Sequence, residues 1–578
     1  MHRFKLGDMF SAIASTDFVY IATATVMILA LSGCGGSSSD TSIASSCPAL
    51  TGTPWVPSVS GASASNHNSS VKLTQSVLTS SGPIIGLNQG ITSSVEIPVT
   101  IDMSQSLGAL GSLTLIGETS GQSSQIAGDV FAFLVSLNDG TNEYIHMTSD
   151  CATNGLYLCS GGICSVNTNC DMDWTSSPNA YINRTKWEEH QGDLSSNFFE
   201  PSVNTFPTCN WTQGSGTSFA IPVCAFNSTF FTTVSGVSQL RSGVNYTAKY
   251  VLVANSYASV SSGYSAALKV TATAKTNTSA NVGGAIDLNF ILVGTNNINA
   301  SRTTKGQQNL NTLATQVATY YSQTNANIKL GSVRSYELPC ESGGDGFADA
   351  TISQLGALLQ KSGSVIPSAE ATGSVNVFLV SSISDDTSGA NSSFTILGVD
   401  GAINGPIENG TAVSGVVVST FDSLDTYNPS CSSSVTTCPL SSYETDFYQL
   451  GVTVTHEMGH FLGLNHPSEY EGTEHDAIYD TPICTAQQSG LGFITVNSCL
   501  LNDTNQLASN GSKTCSADCP SSSYSTTTGS FCPSALSCEF NYVMWWTTKN
   551  FQEGSGNSDG NLFSVGQGKI MTYHPVVQ

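Results

Sequence analysis

Apolar runs bounded by turn residues dominate the first half of the chain. Four of them predict β-strands: "SSVEIPVTIDM", "DVFAFLVSLND", "NYTAKYVLVAN" and "SAALKVTATAKT". Helical periodicity is scarce throughout residues 47–284. We therefore expect a β-rich, sandwich-like region here, made of one domain or two.

The pattern changes near residue 285. The runs "AIDLNFILVGT", "KLGSVRSYEL", "SVNVFLVSSI" and "SGVVVST" predict further strands. After the first of them, Leu310, Leu313 and Val317 follow the helical repeat and predict a helix over 307–325. The segment "YETDFYQLGVTVTHEMGHFLGL" predicts a second, amphipathic helix. Residues 285–578 are therefore predicted to form a mixed α/β unit.

The N-terminus predicts export. A basic start, "MHRFK", precedes the apolar run Phe18–Gly33, which is short for a membrane span and is typical of a signal peptide. The following "LSGC" resembles the lipobox of bacterial lipoproteins, which implies cleavage before Cys34 and lipid attachment to it. We predict a signal peptide over 1–33 and a flexible tether over 34–46. The protein would then be extracytoplasmic, anchored by lipid to the cell envelope, at the outer membrane or cell surface, or released from it. An uncleaved anchor helix is the alternative.

Charge and cysteine content refine this picture. The chain has 17 Lys+Arg against 41 Asp+Glu, a formal charge of −24. An acidic surface repels nucleic acid, so no nucleic-acid partner is expected. Without Cys34, an even number of the 17 cysteines remains, which predicts a disulfide framework that includes region 47–284. A reduced metal-binding set that contains Cys515 and Cys519 is the alternative.

Histidines concentrate in one short segment. Residues 456–466, "HEMGHFLGLNH", contain three of the nine histidines of the chain. On a helix, His456 and His460 lie one turn apart on the same face and can bind one metal ion. Gly463 can adopt the positive φ that turns the chain, so that His466 returns as a third ligand. Three protein ligands with an open position form the usual catalytic zinc site.

Glu457, next to the first of these histidines, is the candidate general base. It can take a proton from a water molecule at the metal, because zinc lowers the pKa of that water to about 7. The nearby His475 is interpreted as a loop histidine.

The pattern H-E-x-x-H-x-x-G-x-x-H is the metzincin signature, and residues 456–466 match it at every fixed position. Downstream, "YDTPIC", "CEFNYVMWW" and "LFSVGQGKIM" follow in order. Together these segments resemble the pappalysin family of metzincins, over residues 285–578. The resemblance implies a zinc endopeptidase of α+β class, with a twisted mixed sheet and an active-site helix.

The resemblance also implies roles for single residues. Met544 would be the methionine of the Met-turn beneath the zinc, with Met571 as the weaker candidate. A calcium site near the D-T-P segment would use Asp480 and Thr481, with Asp476 as a further candidate; a solvated acidic loop is the alternative there.

The chain departs from the family pattern at one position near the zinc. Two residues after its Met-turn methionine the family has a tyrosine. This chain has Trp546 there, and an indole offers only an N–H donor.

We therefore predict a zinc-dependent endopeptidase that hydrolyses extracellular, host or environmental proteins, with Glu457 as general base. Two alternatives stay open: a surface adhesin or binding lipoprotein with a vestigial protease domain, and a metal-binding structural module. Region 47–284 has three candidate roles, namely substrate-binding domain, pro-segment and spacer.

Overall fold

The computed structural model describes much of both predicted regions. The described residues are 55–106, 110–120, 130–141, 143–147, 149–161, 163–167, 172–173, 202–207, 240–254, 260, 263–278, 282–338, 347–367, 370, 373–384, 396–403, 405–420, 447–466, 483–488, 494–499, 543–544 and 563–578. The predicted signal peptide, tether and Cys34 lie outside them.

Strands make up most of the described part of the first region. In chain order its elements are β1 (Lys72–Gly86), β2 (Ile97–Asp102), β3 (Leu110–Ser120), β4 (Val130–Asn138), β5 (Glu143–Met147), α1 (Ser149–Asn154), β6 (Tyr157–Ser160), β7 (Ile163–Val166), β8 (Met172–Asp173), β9 (Ser202–Pro207), β10 (Asn245–Ala254) and β11 (Ser265–Thr276). Nine of these strands form one sheet in the order β8-β5-β4-β10-β1-β11-β3-β9, with β2 paired to β10.

Strand β1 joins two parts of this sheet. Lys72–Pro83 pair with β11 in antiparallel orientation, and Ile84–Gly86 pair with β10 in parallel orientation. The two parts share one hydrophobic core. At its centre, Gly117 on β3 lies so close to the ring of Tyr250 that a Cβ atom would stand 2.8 Å from it. The strands agree with the predicted β-rich region, and the sandwich-like detail stays a prediction.

Cysteines near α1 take part in covalent bonds. Cys151 and Cys159 are each disulfide-bonded. The rest of the predicted disulfide framework stays a prediction.

The second region alternates strands and helices. Its elements are β12 (Gly284–Val293), α2 (Gly294–Arg302), α3 (Thr304–Tyr321), β13 (Ile328–Leu338), β14 (Asp349–Thr351), α4 (Leu355–Gln360), α5 (Ser362–Val365), β15 (Ser374–Val380), β16 (Ser382–Ser384), β17 (Gly398–Asp400), β18 (Val416–Ser419), α6 (Phe447–Phe461), β19 (Ile483–Gln488), β20 (Ile494–Cys499) and α7 (Val565–Tyr573).

A five-stranded sheet carries this region, in the order β13-β12-β15-β18-β17. All pairs are parallel except β17 with β18, which is antiparallel. Both faces of the sheet are covered: Leu288 and Phe290 join the core with α3 and α6, whereas Ile291 and Val293 join the core with α4. Strands buried on both faces have continuous apolar runs, which explains "AIDLNFILVGT". The mixed α+β class is confirmed.

The segment before β1 packs against the second region. The Ser58 amide donates to Asn311 Oδ1 on α3 at 2.6 Å, and Asn66 Nδ2 donates to the Leu330 carbonyl on β13 at 2.8 Å. His67 Nε2 lies 2.8 Å from the Asp287 carboxylate on β12. The two regions are therefore tied together at the N-terminal end of β1.

Most predicted elements of the second region are present with shifted ends. The helix predicted over 307–325 spans Thr304–Tyr321, because the Thr303 hydroxyl caps it by accepting a hydrogen bond from the Gly306 amide at 3.0 Å. The second predicted helix is present as α6. The single strand predicted for "SVNVFLVSSI" divides into β15 and β16.

Several described strands were not predicted, and β1 and β3 are the longest of them. Along β1 most side chains are polar and at least partly exposed until Ile84, so the strand has no clean apolar face in the sequence. Among the described helices, none is long and apolar enough to cross a membrane.

The close packing of α7 predicts the effect of a methyl group. A Cβ atom at Gly568 would overlap the Asn325 carbonyl oxygen, whereas one at Gly356 in α4 would meet Ala412 Cβ at 3.4 Å, an ordinary contact. We expect Gly568→Ala to lower the free energy of unfolding by about 1–3 kcal/mol. Gly356→Ala is the matched control, and we expect it to change that energy by less than about 1 kcal/mol. Urea unfolding measures both, and equal effects would contradict the packing described.

Candidate metal centre

Helix α6 presents one apolar face to the core of the second region. Leu450, Val454, Met458 and Phe461 recur at helical spacing, and all four are buried with α3 and the five-stranded sheet. The spacing of apolar positions therefore fixes the rotation of the helix about its axis. That rotation determines where the intervening polar side chains point.

A glycine turn ends the helix. Gly463 has φ +99°, and the Leu464 amide donates to the Gly459 carbonyl at 3.0 Å, while the Gly463 amide donates to His460 O at 2.8 Å. These two bonds are those of the Schellman motif, in which glycine takes the left-handed position without a Cβ penalty. The chain reverses here, and His466 returns to the helix as predicted.

Three imidazole nitrogens converge in the resulting space. The His456 and His460 Nε2 atoms are 3.1 Å apart, and each lies 3.2 Å from His466 Nε2. All three residues are buried, and no other group of three or more such ligands occurs within the described residues. Nitrogen ligands of a tetrahedral zinc with Zn–N of about 2.0–2.1 Å are separated by about 3.3 Å. The triad fits that ion closely.

Backbone carbonyls determine the tautomers of two of these rings. His456 Nδ1 lies 2.6 Å from the Val543 carbonyl, and His460 Nδ1 lies 2.7 Å from the Leu464 carbonyl. A carbonyl only accepts, so each Nδ1 carries the proton and each Nε2 presents a lone pair. The short distance between those two Nε2 atoms is therefore not a hydrogen bond. Two lone pairs that face one another at this distance are the arrangement that a shared cation requires.

The rings of His456 and His460 are held in the neutral form that a metal requires. Burial, followed by the neighbouring His466, lowers the pKa of His456 to about 3. Burial and both neighbouring histidines lower the pKa of His460 well below its usual value. Protons therefore do not compete with a metal for these nitrogens near neutral pH.

Glu457 is fully buried beside the triad. Neither of its carboxylate oxygens has a hydrogen-bond partner within the described residues. Burial, and then the nearby Asp400, raises its pKa well above the usual value. A cation at the triad would favour the ionised form. The carboxylate is therefore suited to a water molecule held between it and a metal.

Strand β17 brings the sheet against this carboxylate. A Cβ atom at Gly398 would stand 2.6 Å from Glu457 Cγ, so only glycine permits this approach. Gly398 and Asp400 were missed in the sequence, because no spacing or motif relates them to residue 457.

Met544 lies beneath the ligand-bearing helix. It is fully buried, and a Cβ atom at Gly459 would overlap its sulfur. The preceding Val543 supplies the carbonyl that orients His456. Met571, the weaker candidate for the Met-turn, is buried in α7 within the same core. Asp476, Asp480, Thr481, His475 and Trp546 lie outside the described residues.

Comparison with known protein families gives a match over the segment that carries the three histidines. Residues 440–518 match the model of peptidase family M43, described as pregnancy-associated plasma protein-A. This match supports a pappalysin-type metallopeptidase. The M43 segment includes α6, the glycine turn and all three histidines, and the family implies zinc as their metal. The comparison with curated proteins gave no match.

We expect the purified protein to bind one zinc ion per chain, and His460→Ala to lose it. Zinc content is measured by mass spectrometry after dialysis, and zinc should also raise the unfolding temperature of the parent, since it binds the folded state. His67→Ala is the matched control, because His67 lies outside the triad and contacts Asp287 instead. Equal zinc content in His460→Ala and His67→Ala would contradict the site.

Proposed function

We propose that the chain is a zinc-dependent endopeptidase with Glu457 as general base. The observation that carries the proposal is the buried carboxylate of Glu457, which has no hydrogen-bond partner among the described residues and lies beside three converging imidazole nitrogens. A purely structural zinc site has four protein ligands and no need of such a carboxylate. The M43 match supports the peptidase class.

The residues of the chain divide the chemistry between them. His456, His460 and His466 would hold the zinc, which when bound acidifies a water molecule and polarises a peptide carbonyl. Glu457 takes one proton from the attacking water as its oxygen bonds to the carbonyl carbon. Glu457 then delivers that proton to the amide nitrogen as the C–N bond breaks. The products are a carboxylic acid and an amine, which together carry both protons of the water molecule.

The position of β17 supports a polypeptide substrate. It is the terminal strand of the described sheet and lies against Glu457. An extended peptide that pairs with this edge would pass directly beside the general base. Main-chain pairing recognises any extended polypeptide, which suits an endopeptidase that acts on extracellular, host or environmental proteins.

Further parts of the proposal rest on the sequence. We propose Met544 as the Met-turn residue, supported by its contact with Gly459. Lipid attachment at Cys34, residence at the bacterial cell envelope, and a calcium site with Asp480 and Thr481 are proposed on the motifs alone.

A second candidate function is a surface adhesin or binding lipoprotein with a vestigial protease domain. The β-rich first region motivates it. Stoichiometric zinc without cleavage of casein or gelatin would favour this candidate over the peptidase.

Glu457→Gln separates these functions. It keeps the shape of the side chain but removes the base, so we expect kcat on casein or gelatin to fall about 10²–10⁴-fold. Zinc content should stay at one ion per chain, because the ligands are untouched. Glu96→Gln is the control. Glu96 lies in the β-rich region, where its carboxylate pairs with Lys249, so this variant should retain activity. Full activity in the Glu457→Gln variant would contradict the role of Glu457 as general base.

A further inference from the structure

A buried lysine of the β-rich region holds the end of α7 and the residues that follow it. Lys275, near the end of β11, is 1% exposed. Its Nζ donates to the Thr572 carbonyl at 2.6 Å, to the His574 carbonyl at 2.9 Å, and to the Val577 carbonyl. Ser112 Oγ on β3 adds a hydrogen bond to the Tyr573 carbonyl at 2.6 Å.

The three acceptors call for a charged lysine. An ammonium group has three N–H donors, whereas a neutral amine has two, so only the ammonium satisfies all three carbonyls. Burial lowers the pKa of Lys275 to about 7. The carbonyls at the negative end of α7 favour the charge, which opposes that decrease. A side chain that cannot donate would leave three buried carbonyls without this partner, which destabilises the segment that carries them.

The segment held by Lys275 also touches the ligand-bearing helix. His574 Nε2 donates to the Gly405 carbonyl at 2.9 Å, and its ring lies 5.7 Å, centroid to centroid, from that of Phe461. The Gly405 amide in turn donates to the Phe461 carbonyl at 2.8 Å. Phe461 is the last residue of α6 and follows the metal ligand His460.

The tautomer of His574 is also determined. Its Nδ1 accepts a hydrogen bond from the Val576 amide at 3.3 Å, so the proton resides on Nε2 and points to Gly405. Burial, and then the positive charge of Lys275, lowers the pKa of His574 to about 3. The ring is therefore neutral and fixed in one orientation.

We propose that Lys275 is a positioning residue for the metal centre: from the β-rich region it fixes the segment 572–577, whose His574 secures the end of α6 at His460. The β-rich region is then a working part of the peptidase rather than a removable pro-segment. This inference rests on the proposed metal site, and not on the identity of the substrate.

Zinc affinity of the full chain tests the proposal. Lys275→Met keeps the length of the side chain and removes the donors; we expect zinc to bind at least tenfold more weakly, measured by competition with a chelator. Lys269→Met is the matched control, because Lys269 lies on the same strand but is half exposed and paired with Glu118. It should leave zinc affinity unchanged.

A second variant tests the same path from its other end. His574→Phe keeps a ring against Phe461 and loses the bond to Gly405; it should also weaken zinc binding. Because the two residues act in series, the double variant should lose less affinity than the product of the two single effects. A role in global stability alone would lower the unfolding temperature and leave zinc affinity unchanged.

Each outcome is decisive. Unchanged zinc affinity in a folded Lys275→Met protein overturns the proposal, and so does a fully additive double variant. If Lys275→Met does not fold, His574→Phe decides alone, and unchanged affinity there overturns it. Failure of the peptidase mechanism would instead show as activity in Glu457→Gln, which the zinc measurement does not involve.

Discussion

The metal centre depends on an electrostatic constraint: the buried neutral imidazoles of His456 and His460 point their lone pairs at one another. At 3.1 Å, the His456 and His460 Nε2 atoms repel each other unless a cation lies between them. The Val543 and Leu464 carbonyls exclude the other tautomer of these rings. Each carbonyl accepts a hydrogen bond from the Nδ1 atom, which must therefore keep its proton. The fold therefore favours a cation at this point, because a metal ion held by the three histidines would remove the repulsion.

The local part of this site could be predicted from the sequence, and the distant part could not. Helical spacing places His456 and His460 on one face, and Gly463 permits the turn to His466, because both features depend on neighbours along the chain. The carbonyl of Val543 and the approach of Gly398 depend on how separate elements pack. The periodicity of the sequence does not indicate contacts between elements that are far apart in the chain.

The same distinction applies to the fold. Strands buried on both faces, such as β12 and β15, have continuous apolar runs that are easily recognised. Strand β1 is mostly polar and is a strand because β11 and β10 pair with its backbone. Lys275 is an extreme case: in the sequence it resembles any surface lysine, and only tertiary structure surrounds it with carbonyls.

The contacts that secure α6 connect residues far apart in the chain. His456 meets a carbonyl 87 positions later, Gly405 meets His574 across 169 positions, and Lys275 reaches His574 across 299. Contacts at such separation form late in folding, since loop-closure entropy must be overcome first. During synthesis, α6 therefore leaves the ribosome well before the segments that orient its histidines. We therefore expect full metal affinity only once these long-range contacts have formed, and not from the local pattern of α6 alone.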